Sequence, residues 1–376
     1  DCIRYLRLHK RAFDRGNDKS MILDKDDIRA AVASNILTEP QAASLMALAD
    51  SRRGTRENMD GLDEPFELFR GFNEVFIVIG LVILYSGWMG LTGINSFLSD
   101  NANGSALVYG VISVVVTYAL TRYFTLQRRM VAPSIMLVVL MGLSGLQIGA
   151  SLANLFGFDG ASMIAFAATL STLLLGAFYF VFRIPVTVFF IALGVFVATG
   201  ALVVQGGVNT PSVSDFFMLT NNGPYAYITI ILGLIGLFIA MRFDMSDPHR
   251  VTRRASSGFW LHVIAAPAIV NTVALTLLEG GGVLNQIILL AFLAIMAIFA
   301  IIIDRRSFLV AGIGYIVALA ITVLDGNAAI VILILGLGLV FLGAKWEGLR
   351  ARIMDALPSF PGKDKLPPWG LTETSL

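Results

Sequence analysis

The uncharged polar residues best placed to act together sit in one apolar stretch, where Ser144, Gln147, Ser151 and Asn154 follow one another at intervals of three and four residues. At about 100° per residue these four share one face of a helix, while Gly142, Gly145 and Gly149 gather on the other. In the next apolar stretch Thr169, Thr172 and Gly176 form a similar stripe, and the short turn near Asp159 makes the two helices antiparallel neighbours. Ser144, Gln147, Ser151, Asn154, Thr169 and Thr172 are therefore a candidate intramembrane polar cavity. The alternative is that the same groups bond across a helix interface that Gly145 and Gly149 bring close.

His262 and Asn271 are weaker candidates on a later apolar stretch that also holds Trp260 and Pro267. Nine residues apart, they point opposite ways from a straight helix and do not converge on one ligand. His262, one turn inside the helix end, could titrate or bind a headgroup, or simply be satisfied by a neighbouring helix. The loop from Arg242 to Arg254 is the densest basic patch outside the termini, and Arg250, Arg253 and Arg254 could grip an anionic lipid. Topology alone also accounts for them.

Other chemistries lack their residues. Cys2 is the only cysteine, and no two of the three histidines stand at a metal-ligand spacing, so no metal site and no cofactor is expected. No phosphate loop, nucleophile elbow or dinucleotide fingerprint occurs. An enzymatic activity is not expected, nor a nucleic-acid partner.

The elements that must carry these residues follow from composition. With 56% hydrophobic and 14% charged residues, the chain lies far from the soluble average of about 25% charged. Its partner is a lipid bilayer. Ten apolar segments of spanning length are expected, at about 74–94, 105–122, 132–156, 161–182, 184–205, 223–241, 258–279, 283–303, 307–325 and 327–344. With the N-terminus in the cytoplasm, all 27 Lys and Arg fall on the cytoplasmic side, whereas Asp100, Asp159, Asp215, Glu279 and Asp325 fall outside. One helix more or fewer would scatter the bases over both sides, so the count is even and both termini are inside. No acidic or basic residue is expected near the middle of a span. Glu74, Glu279, Asp304 and Asp325 come at helix ends, where a salt bridge or water accounts for them.

The fold class is thus all-α: a polytopic membrane domain over 74–344 with small cytoplasmic pieces. Residues 1–20 read as a non-native or upstream leader, because Met21 opens a well-formed helix start. Residues 21–50 read as a helical hairpin closed by Ile28, Val32, Ile36, Leu45 and Leu48. Its second helix starts at a capping box of Thr38 and Gln41 with Pro40 in the first turn. Residues 51–73 are a linker and interfacial lead-in. Residues 345–376 are an amphipathic helix (Trp346, Leu349, Ile353, Leu357) and a Pro-rich tail, lying along the inner membrane surface.

The segment Ile36-Leu37-Thr38-Glu39-Pro40-Gln41-Ala42 resembles the N-terminal "Gly-x-Ile-Thr-x-x-Gln-Ala" hairpin of a family of predicted bacterial polytopic membrane proteins of unknown function, with Asn35 where the pattern has Gly. Phe72 to Phe76 and Phe259 to Pro267 look like other stretches of that family. The resemblance implies a bacterial inner-membrane protein and supplies no catalytic residue. Two functions are then expected to compete: an interaction, scaffold or regulatory protein that docks a partner on residues 21–50, and a ten-helix secondary transporter of a neutral or lipid-like small molecule.

Overall fold

The computed structural model describes residues 31, 34, 36–38, 41, 45, 73–97, 102–220, 223–248, 250, 252–323 and 328–369. The chain forms two compact units, residues 1–58 with 372–376, and residues 59–371.

In the first unit Ala31 is helical, and its carbonyl accepts from the N–H groups of Ile36 and Leu37, at 2.9 and 3.2 Å. Gln41 and Leu45 are helical, and the Thr38 N–H donates to Gln41 Oε1 at 2.8 Å, one half of the expected capping box. Ile36, one of the residues expected to close the hairpin, lies in a bend and is 73% exposed. The rest of the expected hairpin, the leader 1–20 and the linker up to residue 72 lie outside the described residues.

The second unit is a succession of apolar helices: α1 (Asn73–Phe97), α2 (Ala102–Thr121), α3 (Val131–Leu155), α4 (Gly160–Phe182), α5 (Thr187–Gln205), α6 (Tyr225–Ser246), α7 (Arg253–Glu279), α8 (Gly282–Ile302), α9 (Ser307–Val323), α10 (Ala328–Ala344) and α11 (Trp346–Ala356). A π-helical turn, Arg122–Gln127, extends α2, and short 3₁₀ turns occupy Ser214–Phe216 and Lys363–Lys365. No strand occurs among the described residues. The helices α1 to α8 are long and apolar enough to cross a membrane, while α9 and α10 have 17 residues each. Large apolar side chains face outward, among them Ile83, Leu173, Phe180 and Phe238, as they do where lipid rather than water surrounds the helices.

Small residues decide the helix contacts. A β-carbon on Gly149 would lie 2.6 Å from Ala167 Cα, and one on Gly145 3.0 Å from Ser171 Cα, so the glycine face of α3 receives α4 directly. Gly233 of α6 comes equally close to Ala268 and Ile269 of α7. The largest buried apolar cluster joins α7, α8 and α9 through Val270, Leu289, Leu293 and Phe308, and a second joins α3 and α4 through Val138, Met141, Leu175 and Phe178.

The turns differ between the two ends of the bundle. At one end they use glycine at positive φ (Gly157, Gly207, Gly281), the residue that adopts this conformation without a steric penalty. At the other they carry Arg129, Arg183, Arg250 and Asp304 at φ of 48 to 55°. Each non-glycine residue there costs about 1 kcal/mol, and ionic contacts gather at the same end.

Candidate functional site

Those contacts converge on Asp244. α6 does not stop near residue 241, where Arg242 suggests a boundary, but runs on to Ser246. Asp244 thereby stays on the packed face, 3% exposed, against α7. Arg305, in the turn between α8 and α9, donates from Nε to Asp244 Oδ2 at 3.0 Å and from Nη2 to Oδ1 at 2.5 Å. His262 of α7, fully buried, completes the carboxylate's shell through Nε2 at 2.9 Å from Oδ2. A carboxylate held against a guanidinium accepts in all three bonds, so His262 Nε2 is the donor. Its Nδ1 is buried without a hydrogen-bond partner, next to the Phe308 ring.

Around this centre the same end of the bundle is cross-tied. Arg305 Nη2 also donates to the Ala255 carbonyl at 2.9 Å, and Arg253, 5% exposed, donates to the Phe182 carbonyl at the end of α4. Arg250 pairs with Asp304 at 2.9 Å, and Trp346 Nε1 donates to Asp304 Oδ1 at 2.6 Å, so α11 joins the cluster. Burial pulls the Arg250 guanidinium below its ordinary pKa and the neighbouring charge of Arg305 adds to this, against the opposing pull of Asp304 and Asp244.

α11 packs on protein. Trp346, Arg350, Ala351 and Met354 are buried, whereas the expected membrane-facing residues Leu349, Ile353 and Leu357 are half-buried. Arg350 holds the tail with bonds to the carbonyls of Ile301, Pro367 and Pro368. Burial is the main cause lowering its pKa. Lys363 satisfies the α11 end by donating to the Met354 and Leu357 carbonyls, both at 2.7 Å.

A cavity of about 430 Å³ opens beside this cluster, bounded by the starts of α3 and α7, the α4–α5 turn and the arginines 250, 253 and 305. A smaller apolar hollow of about 130 Å³ lies between α1, α2 and α3, lined by Tyr85, Trp88 and Leu140.

The six residues expected to form a polar cavity between α3 and α4 are not brought together. Ser144 lies within 3.4 Å of the Tyr85 hydroxyl on α1, and Gln147 Nε2 donates to the Ala106 carbonyl on α2 at 3.0 Å. Ser151 is buried and Asn154 exposed. Thr169 and Thr172 bond back to the carbonyls of Ala165 and Ala168 within α4, both at 2.7 Å, and Thr172 lies against Gly194 of α5. The reason is the glycine face: α4 packs on it, so the polar face of α3 is turned toward α1 and α2. Ser171 instead crosses the α3–α4 interface, donating to the Gly142 carbonyl at 2.8 Å. Asn271 is half-buried. Of the three arginines expected to meet anionic lipid, Arg254 is exposed, Arg250 is paired with Asp304, and Arg253 is buried. Of the acids expected at helix ends, Asp304 has its salt bridge, and Glu74, 1% exposed, accepts from the Ala132 N–H at the start of α3.

Sequence reasoning missed Asp244 and Arg305. The only signal was an aspartate between arginines in a stretch read as loop, with a second such pair at Asp304 and Arg305.

An all-helical fold with, among the described residues, eight helices of spanning length and outward apolar flanks is that of a membrane-embedded protein. Compared with protein-family models, with curated proteins and with solved structures, the chain gives no match.

Proposed function

We propose that the protein is a bacterial inner-membrane protein of ten spans, with both termini in the cytoplasm, that acts as an interaction or scaffold protein through residues 21–50 rather than as a carrier or an enzyme. In this reading α9 and α10 complete the ten: 17 residues is the shortest length that crosses a hydrocarbon core of about 30 Å. The charged end of the bundle faces the cytoplasm, as the excess of arginine there requires.

The observation that carries the reading is the cross-tying of that end. One buried network, Asp244 with His262 and Arg305, and its neighbours Arg250, Arg253 and Trp346, links α4, α6, α7, the α8–α9 turn and α11. Alternating access needs helices that part at each face in turn. Here they are bound together at one face, while the small-residue contacts of α3 with α4 close the bundle between them. Such a bundle serves as a fixed platform for a cytoplasmic module.

The test is purification of the tagged protein from its own membranes in mild detergent, with mass spectrometry of whatever follows it, beside a variant lacking residues 21–58. A stoichiometric partner lost with that segment is the expected result. A lone protein in both preparations, together with ligand-dependent thermal stabilisation by a small neutral solute, would overturn it in favour of transport.

A further inference from the structure

We propose that the cavity beside Arg250, Arg253 and Arg305 is a binding site for the phosphate headgroup of an anionic membrane lipid. Its volume, about 430 Å³, lies in the range of small-ligand sites. Three guanidiniums line it and no carboxylate does, since Asp244 and Asp304 approach these arginines from outside the lining. Arg253 and Arg305 are themselves 5% and 8% exposed, so two charged groups are held in place by the fold rather than waving from the surface. Arg305 spends Nε and Nη2 on Asp244 and the Ala255 carbonyl, which leaves the two N–H groups of Nη1 for a ligand. Arg250 likewise spends both terminal nitrogens on Asp304 and keeps Nε. The exposed Ser256 adds a hydroxyl.

Apart from Ser134, the remaining walls are apolar, among them Ile184, Val186, Phe259 and Trp260. Phe259 is 42% exposed at the start of a spanning helix, the level at which aromatic rings meet lipid headgroups. Guanidinium donors beside aromatic and aliphatic walls suit a molecule that is anionic at one end and greasy at the other. A phosphate group takes two guanidinium N–H bonds at once, which makes arginine the fitting residue. A lipid would use both the guanidiniums and the apolar walls, whereas free phosphate would use only the guanidiniums.

The test uses the full chain in mild detergent, titrated with short-chain phosphatidylglycerol, with phosphatidylcholine of the same chains and with inorganic phosphate, and read by thermal unfolding and native mass spectrometry. Phosphatidylglycerol alone should raise the unfolding temperature and stay bound in a one-to-one adduct. Ser256→Glu, an exposed substitution that sets a carboxylate in the cavity, should fold normally and weaken that binding at least about tenfold. Equal effects of the two lipids, a shift fully reproduced by inorganic phosphate, or a Ser256→Glu protein that binds as well as the parent would each overturn the assignment.

Discussion

Gly258 stands directly over the carboxylate of Asp244: a β-carbon at position 258 would lie 2.5 Å from Asp244 Oδ1 and 3.2 Å from the Ala240 carbonyl. The absence of a side chain on α7 is what lets α6 bring its aspartate between His262 and Arg305. Gly258→Ala should therefore destabilise the protein by about 1–3 kcal/mol, although alanine is the better helix former. Gly176→Ala, on α4 with open space around it, is the control and should be neutral or slightly stabilising. Thermal unfolding in detergent compares the two, and equal effects would mean that Gly258 makes no such contact.

The pairing of Asp244 with Arg305 calls for a double-mutant cycle. Either partner alone, replaced by leucine, leaves a buried charge uncompensated and should cost about 3–5 kcal/mol. The double replacement should cost less than the sum of the two, by about 1–3 kcal/mol. Additive losses would show that the two side chains do not interact.

At the α3–α4 interface the backbones themselves touch, because a β-carbon on Gly149 would overlap Ala167 Cα. Gly149→Leu must push the helices apart and should cost more than about 3 kcal/mol or abolish folded expression. Ser144→Ala, which removes one hydroxyl bonded mainly to its own helix at Leu140, should cost about 1 kcal/mol or less. Expression and unfolding temperature rank the two, and a milder Gly149→Leu would contradict the packing.

Arg350 is the clasp of the C-terminal tail. Two of its three carbonyl bonds bring Pro367 and Pro368 against α11, the third goes to Ile301, and Leu366 is buried. Arg350→Ala should free this segment at a cost of about 1–3 kcal/mol, seen as faster trypsin cleavage after Lys363 and Lys365 while the unfolding temperature of the bundle changes little. Unchanged cleavage would mean that the tail is held without it.

Topology is open to direct test. A reporter joined after Asn103, Gly207 or Gly281 should read as outside the cytoplasm. Gly207 and Gly281 lie in turns with positive φ at the end of the bundle away from Arg183, Arg250 and Arg305. A cytoplasmic signal at any of these positions would remove the even helix count.

The positions of the helices are legible in the order of the residues alone. Apolar runs of spanning length need no partner to be recognised, and α1 to α10 fall within a few residues of the expected segments, apart from the starts and ends that tertiary contacts moved. The two such shifts are instructive. α6 runs on past Arg242 to Ser246, and α7 begins at Arg253 rather than at Gly258, because Asp244 is met by His262 and Arg305, and Arg253 by the Phe182 carbonyl, so charged residues remain helical and buried there. The glycine and polar faces of α3 were also legible, since they depend only on the helical repeat.

What those faces meet depends on how the helices pack. α4 took the glycine face, so Ser144 and Gln147 bond to α1 and α2 rather than to α4. His262 could be placed near a helix end from sequence, but its acceptor lies 18 residues earlier and the arginine sharing that acceptor 61 residues beyond it. Hydrogen bonds at such separations are fixed by which helices pack together and in what rotation, and no local spacing encodes that.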